Sequence, residues 1–445
     1  MQPIVGFFCV VLSRRCSILG YYRPSFRPEA FLARCSLSTS SSPDEVDQQR
    51  YAKLQNDARD LVQRASFKVR GSAHHTKLRR RHITLFCDAV REGLIHRDGT
   101  LYNSTNDHQH RCDATKKLVA DLGGIGANQG IMPDFSSPKA LRGYALGHFG
   151  RAQLLSELVT QTEPDWLDER VSELFSVPSA PSSQQHAVKA GDRKDGEKEV
   201  TLASLGGGCG YDFVALAALS EYLGGPRIAA TVYEYEPAWK EIVEDVESVV
   251  RDVFAGSQDP SHHTTITTEN RSQRPTHECG FEFCDITSPL NSSSNEALAS
   301  EIHSIQVFSC SYVVAENAVK LQQNGFVFFR QLFAEATDGS LFLFTETTHR
   351  LWPDFIDLVR CHNACDADNG GPLIRVTIPH IRRGKSGWQL ALLKSSTAGN
   401  AEASAGQTTK RENELYERFK RDNIAHLSRL DRGWKRDARK VRGAK

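Results

Sequence analysis

The chain has 445 residues, with 55 Lys and Arg against 54 Asp and Glu and a hydrophobic content of 39%. The length allows a sizeable core in one large domain or two to three ordinary ones, and the even charge gives no whole-chain case for a polyanionic partner. Beyond the leader described below, no segment approaches 18 continuous apolar residues, so no membrane-spanning helix is expected.

The first 43 residues differ from the rest. Arg14, Arg15, Arg23, Arg27 and Arg34 stand against the single acid Glu29, and the stretch ends in a Ser/Thr tract. That composition reads as a transit peptide addressing a mitochondrion or plastid, with a signal peptide or a disordered tail as competing readings. Without import the protein is expected in the cytoplasm or nucleus. The apolar run Ile4 to Leu12 is too short to span a bilayer.

From 44 to 175 the pattern is helical. "KLRRRHITLFCDAVREGLI" places Ile83, Phe86, Ala89, Val90 and Leu94 at helical spacing, and "ALRGYALGHFGRAQLLSELV" predicts a further helix. The basic run Lys77, Arg79, Arg80 and Arg81 lies within this region. A polar, low-complexity stretch at 176–199 reads as a linker.

Strand and helix patterns then alternate over 200–395. "VTLASLGG" leads to the helix "YDFVALAALSEYLG", and "RIAATVYEYE" to "AWKEIVEDVESVVRDVFA". "FEFCDIT" and "SIQVFSCSYVV" follow, then the helix "KLQQNGFVFFRQLFAEA". After "GSLFLFTET" and "PDFIDLVRCHNA", two strands close the series with no helix between them. The alternation predicts an α/β fold, a doubly wound Rossmann-like sheet, mostly parallel with one antiparallel edge strand and a helical N-terminal region before it. Ligands of such sheets sit at the carboxyl ends of the strands.

A linker at 396–409 precedes a basic segment, 410–445, with thirteen Lys and Arg, six acids and interleaved Tyr416, Phe419 and Trp434. Eleven scattered cysteines read as reduced thiols of an intracellular compartment. Neither Cys361-His362-Asn363-Ala364-Cys365 nor the His108, His110, Cys112 group has a second pair at finger or ribbon spacing, so no metal site is expected.

The chemistry concentrates where the first strand of the alternation meets its helix. Gly206, Gly208 and Gly210 form G-x-G-x-G, followed by Tyr211-Asp212 where a phosphate-binding loop needs Lys-Ser/Thr. An acid at that helix start would repel a phosphate. The dinucleotide spacing G-x-G-x-x-G is absent as well. Glu234 ends the next strand 24 residues after Gly210, and one carboxylate there pairs well with the two hydroxyls of a ribose. Tyr312, Glu316 and Asn317 after the fourth strand are candidates for binding or deprotonating an acceptor, although helix capping and packing would equally explain them.

These residues resemble the class I S-adenosylmethionine-dependent methyltransferases over roughly 200–395. The resemblance implies that S-adenosylmethionine is the cofactor and that the Gly206–Gly210 loop approaches its methionine and ribose parts. It further implies that Glu234, with Glu236 as the fallback, binds the ribose in an E-x-x-P pattern. Asp285, with Ile286 beside it, would meet the adenine, and Ser309, Cys310 and Ser311 would lie near the sulfonium. Many members carry an acid two residues before the first glycine, facing the cofactor's amino group. Ser204 stands there instead, and Asp212 is the candidate to compensate.

The stretches "ALRGYALGHFGRAQLLSEL", "SYVVAEN" and "GSLFLFTE" are faintly similar to fungal ribosomal-RNA uridine-N3 methyltransferases. With the basic run Lys77 to Arg81 and the tail 410–445, that similarity implies RNA as the methyl acceptor. The alternatives are a protein or small-molecule methyltransferase, or a protein that binds S-adenosylmethionine or RNA without turnover. Nothing in the sequence fixes an oligomeric state.

Overall fold

The computed structural model describes 73–97, 113–122, 133–160, 165–175, 199–255, 276–346, 351–367, 371–377 and 388–396, with parts of 52–57 and 413–421. The expected leader, nearly all of both linkers and the basic tail beyond 421 lie outside the described residues.

Seven strands form one sheet: β1 (Glu199–Leu205), β2 (Arg227–Glu234), β3 (Glu278–Phe283), β4 (Val307–Ser311), β5 (Leu341–Glu346), β6 (Leu373–Thr377) and β7 (Trp388–Ser395). Their order is β3-β2-β1-β4-β5-β7-β6. The first five run parallel, and β7 runs antiparallel to both β5 and β6. The one reversed strand therefore lies a place in from the edge, which β6 forms. The order reverses direction between β1 and β4, so the carboxyl ends of these two strands frame the crevice where a doubly wound sheet takes its ligand.

Alternate residues of each strand serve opposite cores. Val200 and Leu202 of β1 and Val307 of β4 join one apolar cluster; Ala203, Leu205, Phe308 and Cys310 join the other. This is the two-residue period of a sheet covered on both faces. The first core is completed by helices from before the sheet. Helices α1 (Ala73–Arg97), α2 (Pro138–His148), α3 (Arg151–Val159) and α4 (Asp165–Phe175) bring in Phe86, Val90, Tyr144, Leu155 and Phe175. They pack around α5 (Tyr211–Leu223), whose residues are nearly all buried. Arg142 adds ion pairs of 2.9 Å to Glu241 and 3.4 Å to Asp245 of α6 (Lys240–Ala255).

Two predicted helices are interrupted. The run around 140–159 breaks at Phe149-Gly150 into α2 and α3. The helix predicted after β4 begins as α7 (Val313–Glu316) and α8 (Ala318–Gln323), then breaks at Gly325 before α9 (Val327–Glu335). Phe326 adopts φ 57 there because its ring packs edge-on to Phe355 at 5.5 Å while its N–H donates to Leu321 O. Helix α10 (Trp352–Ala367) and the first described turns of the C-terminal segment cover the second core.

Candidate functional site

Strand β1 ends in the glycine loop, and three of its glycines have positive φ: Gly206 at 61°, Gly208 at 54° and Gly210 at 81°. Each glycine answers a different neighbour. A Cβ on Gly206 would meet the Val313 side chain at 2.5 Å, and one on Gly207 would meet Ser204 Oγ. A Cβ on Gly208 would find nothing within 4 Å. The loop is thus packed from behind and open at its tip.

Glu234 stands beside that tip. Its Oε2 accepts from Gly208 N at 3.0 Å and its Oε1 from Tyr235 N at 2.9 Å. Burial pushes its carboxyl above the ordinary value, opposed by those two amides. Glu236 turns away and caps the turn that starts at Pro237, accepting from Ala238 N at 3.2 Å. Beyond Glu234, Tyr235 and Phe283 form a solvent-exposed ring pair with centroids 5.5 Å apart. Such a pair offers flat apolar faces at the carboxyl ends of β2 and β3.

Asp285 follows β3 and closes its own turn. Its Oδ1 accepts from Thr287 N and Oγ1 at 2.9 and 2.7 Å, and its Oδ2 from Ser288 Oγ at 2.7 Å. Asn295 clamps the same turn by accepting from Asp285 N at 2.8 Å. A carboxylate has about four acceptor positions, so little of Asp285 is left for a ligand. Ile286 beside it is buried in the second core.

The serines and Asp212 need a correction. Asp212 is 1% exposed and accepts hydrogen bonds from Ser204 Oγ at 2.9 Å, Ser309 Oγ at 2.7 Å and Ser311 Oγ at 2.7 Å. Ser204 and Ser309 are register partners in β1 and β4, and Ser311 points the same way two residues on. The three hydroxyls replace the apolar side chains this face would otherwise carry, and Asp212 ties two strand ends to the start of α5. Burial raises its carboxyl, and the three hydroxyls pull against that rise. It has neither exposure nor free oxygens for a ligand, so it does not compensate for the missing acid. Cys310 faces the opposite core.

Past β4 the chain turns sharply at Tyr312, a non-glycine residue at φ 67. Its N–H donates to Thr345 O at 2.8 Å, and its ring lies under the Arg151 guanidinium, 4.1 Å from carbon to centroid. Left-handed backbone at a bulky residue costs on the order of 1–2 kcal/mol, and such strain gathers at working sites. Asn317 donates its amide to Val313 O at 3.0 Å, joining α7 to α8.

The sequence reading missed a group that gathers over this turn. Arg151, the first residue of α3, donates to Tyr144 Oη at 2.7 Å. Tyr211 Oη donates back into α2 at Ala145 O, 2.7 Å, so the N-terminal helices sit directly on the loop's helix. His148 stacks on Tyr144 at 4.4 Å, and burial, then Arg151, pushes its ring down to about 4, leaving it neutral. Glu346, the last residue of β5, accepts from Ala315 N at 3.0 Å through Oε1, while its buried Oε2 has no partner. Burial pushes Glu346 up to about 8 and Glu316 up to about 7; Arg151 opposes the rise in both. The only signal in the sequence was Arg151 following a glycine within a helical run.

The basic and aromatic candidates for RNA divide. Arg79 is buried and donates to Thr160 O at 2.7 Å, so it is withdrawn from any surface role, whereas Arg81 is exposed. Tyr416 and Phe419 are likewise buried, Tyr416 donating to Asp357 at 2.8 Å and Phe419 packing on Trp388. They support the fold instead of offering rings to a base. Trp434 and the His108–Cys112 group lie outside the described residues. Among the described residues no group of three or more His, Cys, Asp or Glu is placed to hold a metal, and no helix is long and apolar enough to cross a membrane.

No protein-family model matches this sequence, and no curated protein matches it. Solved structures with a likeness to it are S-adenosylmethionine-dependent methyltransferases. A putative class I methyltransferase from Listeria monocytogenes is 10% identical, covers 70% of this chain and 90% of its own, and has a TM-score of 0.31. An rRNA methylase from Streptococcus thermophilus is 9% identical over 45% of this chain and 89% of its own, TM-score 0.25. An O-methyltransferase from Bacillus cereus, solved with S-adenosylhomocysteine, is 12% identical over 44% and 74%, TM-score 0.24. Strand order and register, not these scores, define the fold of this chain.

Proposed function

We propose that the chain binds S-adenosylmethionine in the crevice between Gly208, Glu234 and the Tyr235–Phe283 pair and transfers its methyl group. The observation that carries this reading is the glycine loop. Gly206 and Gly207 are filled from behind, while the Cβ direction of Gly208 opens on empty space beside a strand-end carboxylate. A thin, side-chain-free wall next to an acid suits a ribose, and two exposed rings just beyond suit a flat base. Asp285 contributes by shaping its turn more than by offering a free carboxylate.

The cofactor supplies an activated methyl group; the protein's work is to hold an acceptor in line with it, which proximity and orientation largely achieve. Tyr312 and Glu316, at the carboxyl end of β4, stand on the acceptor side of that crevice. We favour RNA as the acceptor, on the exposed Arg81 and the net basic segment from Lys410 onward. Protein or small-molecule acceptors are the second reading.

Calorimetry of the full chain with S-adenosylhomocysteine tests the cofactor. Glu234→Ala is expected to weaken binding by roughly 1.5–3 kcal/mol, the range of a charge-assisted hydrogen bond. Transfer of a tritiated methyl group into total RNA compared with total protein tests the acceptor. Label in protein alone would overturn the choice of RNA.

A further inference from the structure

The cofactor's methionine end is a zwitterion, and the positions that resemblance assigned to its ammonium are spent or neutral. Ser204 gives its hydroxyl to Asp212, and Asp212 is enclosed by three serines. Charge for an α-amino acid must come from elsewhere.

We propose that Arg151 and Glu316 form a clamp for the α-amino-acid end of the ligand, Arg151 taking the carboxylate and Glu316 the ammonium. The inference rests on the S-adenosylmethionine reading above.

Four observations place the clamp. Arg151 and Glu316 act on each other electrostatically, yet neither takes part in an ion pair within 4 Å among the described residues. Opposite charges that sense but do not touch each other leave room for a group carrying both signs. Glu316 also senses Glu234, so it lies between the ribose acid and Arg151 in the order that ribose, ammonium and carboxylate require. Arg151 is oriented before any ligand arrives: Tyr144 accepts one of its donors, and Tyr312 supports its flat face. A guanidinium so held keeps further donors for a carboxylate.

Glu346 completes the device from beneath. It is 1% exposed, its Oε2 has no partner, and its Oε1 accepts from Ala315 N, one residue before Glu316. That contact fixes the short helix which presents Glu316. Glu346 is a positioning residue in this account, and Glu316 is a binding residue instead of the acceptor's base.

Three adenosine thioethers test the clamp by calorimetry on the full chain: S-adenosylhomocysteine, its analogue without the amino group, and 5′-methylthioadenosine, which lacks the whole amino-acid end. Wild-type protein is expected to prefer the first over the last. Arg151→Met should lower affinity for S-adenosylhomocysteine by about tenfold or more, the loss of a charge-assisted contact, and leave 5′-methylthioadenosine unchanged. Unchanged binding of that ligand also shows that the variant is folded. Glu316→Gln should weaken S-adenosylhomocysteine but not the des-amino analogue. Equal losses for all three ligands, or none, would overturn the clamp. Should Arg151→Met fail to fold, Arg151→Lys and Glu316→Gln decide: full wild-type preference in both refutes the proposal. If none of the three ligands binds wild-type protein, the cofactor reading itself has failed.

Discussion

Glu346 carries an acid into the interior at the end of a strand whose six residues are all buried. Its carboxyl is raised from 4.5 to about 8, chiefly by burial, and Glu316 is raised to about 7. An acid whose pKa is higher in the folded state binds its proton more tightly there. Its contribution is therefore complete below the unfolded value and is lost as pH climbs through the folded one. Wild-type protein is expected to lose thermal stability between pH 5 and pH 9. Glu346→Gln, which cannot ionise, should melt higher than wild type at pH 9 and close to it at pH 5. Melting curves with the same difference at both pH values would contradict this. The glycine loop makes a second residue-level prediction. Gly206→Ala drives a methyl into Val313 at a left-handed position and should destabilise by about 2–4 kcal/mol, combining overpacking with αL strain. Gly208→Ala carries only the strain, about 1–2 kcal/mol, so urea titration should rank the two. The loop and Glu234 were legible in the sequence because spacing alone brings a strand end and its loop together. Arg151 was not, because it reaches the site through a helix packing that no local pattern encodes. Nor was the state of Asp212, whose three serine partners come from two strands.

At the scale of elements, the strands were legible and the helix breaks were not. A two-residue alternation survives in short windows. A break such as Phe149-Gly150 or Gly325-Phe326 occupies one or two positions inside an otherwise helical pattern, and the apolar spacing resumes on the far side. Both breaks have work to do: one places Arg151 at a helix start, and the other turns α9 into the second core. The end of α9 holds an arrangement no pattern predicts. Lys394 of β7, 3% exposed, donates to the carbonyls of Phe333, Ala334 and Ala336 at 2.9, 2.7 and 2.7 Å. A cation there meets carbonyls that the helix end leaves without partners and the negative end of its dipole. Lys394→Met should cost about 3 kcal/mol, on the scale of two charge-assisted bonds. Thermal denaturation checks it, and an unchanged melting temperature would show that water replaces the ammonium freely.

Over the whole molecule, the alternation of strands and helices predicted the doubly wound sheet, and the closing strand pair predicted its reversed strand. The docking of the N-terminal helices was hidden. Their apolar faces are ordinary amphipathic stripes, and only the assembled core shows Phe86, Leu155 and Phe175 fully buried beside Val214 and Leu216 of α5. A chain beginning at Glu199 would expose that face of α5 and lose Arg151 together with the bond from Tyr211 to Ala145. It is expected to be insoluble or to bind S-adenosylhomocysteine no better than 5′-methylthioadenosine; a soluble, fully binding fragment would detach the helices from the site. The central claim is that the open tip of the glycine loop receives the cofactor. Calorimetric titration of the full chain and of folded Gly208→Val with S-adenosylhomocysteine tests it most directly. The account predicts saturable binding at one site per wild-type chain and none in the variant, whereas equal affinity in both would contradict it.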